Sequence, residues 1–78
     1  MNDITVYTTS TCPFCVMTKN FLSDNNIPFK EVNVEHSHEA MQYVVSKTGQ
    51  MGVPQTEING NWVIGFDPER IKHELKSA

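Results

Sequence analysis

The 78-residue chain predicts an α/β fold in the order βαβαββα, with a four-stranded mixed sheet flanked by three helices. Three observations predict it. A strand-like run, a helical pattern and a second strand-like run follow one another over residues 4–34. That order implies a parallel strand pair with a right-handed crossover. Asn59-Gly60 lies between two short strand-like runs and is the favoured two-residue type I′ hairpin turn, so the last two strands pair antiparallel. Asp67-Pro68-Glu69 supplies a capping side chain, a first-turn proline and a first-turn acid, and so opens a final helix.

Each element has its own local reason. Ile4 to Thr8 alternates weakly and is β-branched or aromatic throughout, a first strand. Thr9, Ser10 and Thr11 form a polar turn. From Pro13 to about Asn25, Val16, Met17, Phe21 and Leu22 keep a helical rhythm, with Cys15 near the same face. Asn25-Asn26 stop that helix, and Ile27-Pro28 connect it to a second strand, Phe29 to Val34. Ser37 caps a second helix with Ala40, Met41, Val44 and Val45 on its apolar face and a stop at Thr48-Gly49. Gln55 to Ile58 and Asn61 to Ile64 are the hairpin strands. Ile71 and Leu75 turn inward from the last helix.

A chain of this length makes one domain, residues 1–78, and buries only about 60 % of its unfolded surface. The net charge of −3 is mild and the six basic residues do not cluster, so nucleic acid is not an expected partner. No apolar run approaches the ~18 residues of a membrane span, and no charged-then-apolar signal opens the chain, so a cytoplasmic protein is expected. A monomer satisfies everything the sequence demands.

The two cysteines, Cys12 and Cys15, enclose a loop of a single turn, and so short a cross-link constrains the unfolded chain least. Their placement argues for redox chemistry instead. A helix start presents unpaired N–H groups and the positive end of the macrodipole, which favour a thiolate. Cys12 is then placed to attack a disulfide, and Cys15, one turn on, to resolve the mixed disulfide. Pro13 suits a first helical position, where its missing N–H leaves no bond unmade.

Cys12-Pro13-Phe14-Cys15 at the first helix, Val53-Pro54 before a hairpin and Gly65-Phe66-Asp67 before the last helix resemble the glutaredoxins, over Ile4 to Leu75. The resemblance implies a minimal thioredoxin-like fold and an enzyme, a thiol–disulfide oxidoreductase acting on protein disulfides or mixed disulfides. It makes Cys12 the nucleophile and Cys15 the resolving thiol. Val53 would offer its backbone to a bound thiol peptide as an added strand, across a cis Val53–Pro54 bond. Thr9, Phe14, Gly52, Pro54, Gly65 and Phe66 would complete the substrate groove. Asp67 would bind the substrate's amino-terminal end besides capping its helix. No tightly bound cofactor is implied; glutathione or another low-molecular-weight thiol is a possible reductant.

Departures from the family pattern leave the electron donor open. Thr9 stands where glutathione users commonly have a basic residue, Gly52 where they have threonine, and Ile64 where they have a first glycine. Gly65-Phe66 with Pro68 looks like the small redoxins that draw electrons from thioredoxin reductase and serve ribonucleotide reductase. Tyr7-Thr8-Thr9-Ser10 and Val34-Glu35-His36 look like mycoredoxins. The expected partners are disulfide-containing proteins, with a glutathione-like thiol or thioredoxin reductase as donor.

Ordinary readings compete at several positions. Phe14, between the cysteines at a helix start, is expected to face solvent and touch substrate rather than fill a core. Trp62 is expected to cover the sheet as packing. Gly65 is expected to allow close backbone approach. The three histidines are expected to be solvated. A different class, a zinc- or iron–sulfur-binding carrier, would use the same cysteines, but zinc wants four ligands and His36 and His38 lie toward the opposite edge. No metal is expected.

Overall fold

The structure, a computed structural model, describes residues 3–76. Its elements are β1 (Ile4–Thr8), α1 (Pro13–Asp24), β2 (Lys30–Asn33), α2 (His38–Thr48), β3 (Gln55–Ile58), β4 (Asn61–Ile64) and α3 (Pro68–Lys76). The sheet runs β2-β1-β3-β4, parallel between β1 and β2 and antiparallel elsewhere. This is the α/β order the sequence predicts. The second strand is shorter than expected, with Phe29 and Val34 just outside it. Val34 N–H nevertheless donates to the Thr8 carbonyl at 2.9 Å, continuing the link between the two strand ends.

Helix boundaries follow capping chemistry. α1 ends in a Schellman turn: Asn26 N–H reaches the Ser23 carbonyl and Ile27 N–H the Leu22 carbonyl, with Asn26 left-handed at φ 57°. Ser37 Oγ accepts from Ala40 N–H at 3.2 Å at the start of α2, and Gly49, left-handed, ends it. Asp67 Oδ1 accepts from Arg70 N–H at 3.2 Å and Pro68 follows as the first residue of α3. Asn59 and Gly60 take φ of 52° and 91°, as a type I′ turn requires.

Strand alternation divides the core in two. Ile4, Val6, Ile58 and Val63 meet Leu22 of α1 and Ile71 of α3 on one face. Tyr7, Val34 and Val44 of α2 form the other cluster, with Val53 and Trp62 against it. Trp62 covers the sheet by stacking on Tyr7, ring centroids 5.5 Å apart.

One expectation about α1 is corrected. Its buried residues are Cys15, Thr18 and Leu22, whereas Val16 and Met17 are 50 % and 44 % exposed. Thr18 can be buried because its hydroxyl donates to the Phe14 carbonyl at 2.9 Å, which removes the cost of an unpaired polar group. Among the described residues, no helix is long and apolar enough to cross a membrane.

Candidate active site

β1 delivers the chain through the Thr9–Thr11 turn to Cys12, which is the N-cap of α1 in extended conformation. Capping residues usually offer an oxygen to the first free amides; here the acceptor is sulfur. Cys15 N–H points at Cys12 Sγ across 3.1 Å. The two cysteines form a disulfide with Cα atoms 5.1 Å apart. Cys12 is half-buried and Cys15 is 1 % exposed, so the first sulfur is the one within reach of a large substrate. On reduction, the same amide and the positive end of α1 favour a thiolate at Cys12.

The turn before Cys12 is tied down from β2. Ser10 N–H donates to Glu35 Oε1 at 2.8 Å, Asn33 Nδ2 donates to Ser10 Oγ at 3.1 Å, and Glu35 N–H donates to Asn33 Oδ1 at 2.9 Å. Behind it, Glu31 accepts from Lys19 Nζ and from the buried Thr8 hydroxyl, each at 2.9 Å. The Lys19 hydrogen bond, followed by that from Thr8, holds the Glu31 carboxyl below the usual carboxylate value against the opposing effect of burial. The ties of Ser10 to Asn33 and Glu35, and of Glu31 to Thr8 and Lys19, join residues 12 to 25 apart, so no local stretch of sequence shows them.

Sheet register brings the second segment to the same end. Tyr7 pairs with Gln55 and Gln55 with Ile64, so Pro54 and Gly65 lie at the edge where β1 gives way to the cysteine turn. Gly65 N–H donates to the Pro54 carbonyl at 2.8 Å, and Val53–Pro54 is cis. Gly65 has φ 81°, a conformation that favours glycine. The expected reason, close approach, does not hold within the protein itself: a Cβ there would meet nothing within 4 Å.

The remaining sequence-predicted residues are spread around this end. Phe14 is 58 % exposed beside the cysteines, Thr9 is half-buried in the turn, and Gly52 is exposed in the loop before Val53. Phe66 is half-buried and Asp67 caps α3. His36 lies on the connection into α2 and His38 is the first residue of that helix, where its Nε2 contacts Gln42 Nε2 at 3.1 Å. Among the described residues, no group of three or more His, Cys, Asp or Glu could hold a metal ion. Depressions of about 200 and 440 Å³ flank Pro28 and Phe29 at the other end of the sheet, away from the cysteines.

The family model for glutaredoxins matches residues 4–63. The chain belongs to the glutaredoxin family. With its disulfide-forming Cys12–Cys15 pair it is a thiol–disulfide oxidoreductase of that cofactor-free family. An uncharacterized glutaredoxin-like 8.6 kDa protein from the rubredoxin operon of Clostridium pasteurianum is 40 % identical over 68 residues, covering 87 % of this chain and 91 % of its own. The glutaredoxin of Archaeoglobus fulgidus superposes with a TM-score of 0.86 at 26 % identity, covering 97 % of this chain and 88 % of its own. The glutaredoxin-like NrdH-redoxin of Escherichia coli, described as having a thioredoxin-like activity profile, superposes with a TM-score of 0.84 at 27 % identity. It covers 91 % of this chain and 92 % of its own.

Proposed function

We propose that this glutaredoxin-family protein reduces protein disulfides, or mixed disulfides of proteins with small thiols, by a dithiol mechanism. The reading rests on one observation above all: Cys12 sulfur caps α1 against the Cys15 amide, with the buried Cys15 thiol one turn behind it. The Cys12 thiolate attacks one substrate sulfur, breaking the substrate S–S bond, and the other sulfur leaves as a thiolate that takes a proton. Cys15, losing its proton, then attacks Cys12 sulfur and expels the second substrate sulfur. Two electrons pass from the dithiol to the substrate, and Cys12–Cys15 is left oxidised. Val53 supplies backbone to the bound chain beside the sulfur, and exposed Phe14 supplies an apolar contact.

A second reading concerns the donor: a redoxin recycled by thioredoxin reductase and serving ribonucleotide reductase. Neutral Thr9 offers no counter-charge for a tripeptide carboxylate, and Ile64, 46 % exposed, stands where a glycine would open the groove. The thioredoxin-like activity of the Escherichia coli NrdH-redoxin supports the same reading.

The test follows recycling of the oxidised protein by NADPH consumption, with thioredoxin reductase in one arm and glutathione with its own reductase in the other. Turnover by the flavoenzyme alone supports the second reading. Efficient glutathione turnover assigns the tripeptide as donor and overturns it. Cys15→Ser should accumulate a mixed disulfide visible by mass spectrometry, and Cys12→Ser should lose exchange. Activity retained in Cys12→Ser would reverse the assigned roles.

A further inference from the structure

Gln55 follows the cis proline and is completely buried although polar. Its Nε2 amide donates to the Gln50 carbonyl at 3.0 Å and to the Gly52 carbonyl at 2.8 Å. Both amide hydrogens are thus spent on the backbone of the loop that leads to Val53. The Oε1 oxygen has no hydrogen-bond partner among the described residues. Burying an amide oxygen unpaired is costly, so the donor end must set the orientation. Turning the amide over would aim Oε1 at two carbonyl oxygens and take the Gln55 donor from both, leaving the Gln50 carbonyl with the longer approach of the Thr48 hydroxyl at 3.4 Å. An apolar side chain of the same volume would fill this space equally well, so filling alone does not account for an amide here. Thr48 Oγ1 holds the start of this loop, accepting from Gln50 N–H at 3.2 Å and reaching the Gln50 carbonyl at 3.4 Å, while Met51, further on, is 68 % exposed.

We propose that Gln55 is a positioning residue for substrate: its side-chain amide clamps the Gln50–Gly52 backbone and so fixes how Val53 meets an incoming chain. The proposal rests on the reading of Val53 as the backbone partner of the substrate. Cys12 and its helix lie on a different segment, so the clamp acts on substrate engagement and leaves the thiol chemistry alone. That separation distinguishes a clamp from a general stabilising role.

The experiment compares Gln55→Met, which keeps the volume and loses both donors, with Gln55→Glu, which keeps the shape and replaces the amide by a carboxyl. Steady-state reduction of a peptide disulfide is measured beside the pH profile of Cys12 alkylation and the equilibrium with a glutathione redox buffer. Gln55→Met should raise KM about tenfold, the effect of losing hydrogen bonds that position substrate, with the alkylation profile and redox equilibrium at wild-type values. In Gln55→Glu a protonated carboxyl donates to one carbonyl and a carboxylate to neither, so its KM relative to wild type should rise with pH. Unchanged KM in both variants, or an equal change in the alkylation profile, overturns the proposal. In the wild type the two Nε2 hydrogens should exchange slowly with solvent; exchange at the free-amide rate overturns it whether or not either variant folds. A wild type unable to reduce the peptide disulfide would overturn the functional reading beneath it, a result distinct from an unchanged KM.

Discussion

The Cys12 thiolate should respond to charge placed one turn along α1, and Val16 is the position at which to place it. Val16 N–H donates to the Cys12 carbonyl at 3.2 Å, which fixes its place in the first turn, and its side chain is 50 % exposed. Val16→Lys or Val16→Glu therefore adds a charge about 6 Å from Cys12 without opening the core. Two unit charges ~6 Å apart interact by about 0.7 kcal/mol in water and by about 2.8 kcal/mol at an effective dielectric of ~20. An exposed site lies toward the first value, and ions at ~0.15 M reduce it further. With ~1.36 kcal/mol per pKa unit, the expected shift is about half a unit. It is downward for lysine, which stabilises the thiolate, and upward for glutamate. Thiolate absorbance against pH on the reduced protein, at low and high salt, reads both shifts. Shifts of one sign in both variants, or none in either at low salt, would refute the reasoning that the field at the start of α1 governs Cys12.

Three further outcomes are expected. Leu22→Ala empties the centre of the cluster formed with Ile4, Val6, Ile58, Val63 and Ile71, and should cost about 3 kcal/mol in urea unfolding; a loss under about 1 kcal/mol would show that this cluster is loosely packed. Glu31, held low chiefly by Lys19, contributes stability above the ordinary carboxylate pKa that is lost as pH falls through its folded value. Lys19→Ala should therefore flatten the acid limb of unfolding midpoint against pH, and parallel limbs would contradict it. Tyr7 is pushed up to about 12, first by burial and then by the Glu57 charge, so its contribution is present below the ordinary tyrosine value and lost as pH rises toward about 12. Glu57→Gln should bring the Tyr7 phenolate titration down, and an ultraviolet titration matching wild type would show that Glu57 does not contribute to the shift.

Burial on α1 and the contacts of the site depart from simple sequence pattern for physical reasons. On α1, apolar periodicity predicts burial for Val16, yet Thr18 lies inside and Val16 outside. A threonine whose hydroxyl reaches a carbonyl four residues back buries without penalty, and periodicity counts of apolar residues miss it. Gln55 read as an ordinary first residue of a strand; only its hydrogen bonds to Gln50 and Gly52 mark it out. The ties of Ser10 to Asn33 and Glu35 are invisible to sequence pattern for a related reason, since they join polar side chains more than twenty residues apart.

What the sequence determined by itself is what acts over four residues or fewer. The Asn59-Gly60 turn, the Ser37, Gly49 and Asp67 caps, the Asn25-Asn26 stop and the delivery of Cys12 to a helix start follow from local backbone preferences and the free groups of helix ends. What only the tertiary structure decided is the company those cysteines keep. Tyr7 pairs with Gln55 and Gln55 with Ile64, and that register carries Pro54, Gly65 and the Gln55 amide to the end of the sheet where β1 releases the chain into α1. Register is set by which face of each strand must be buried against helices distant in sequence, so no window of neighbouring residues contains it.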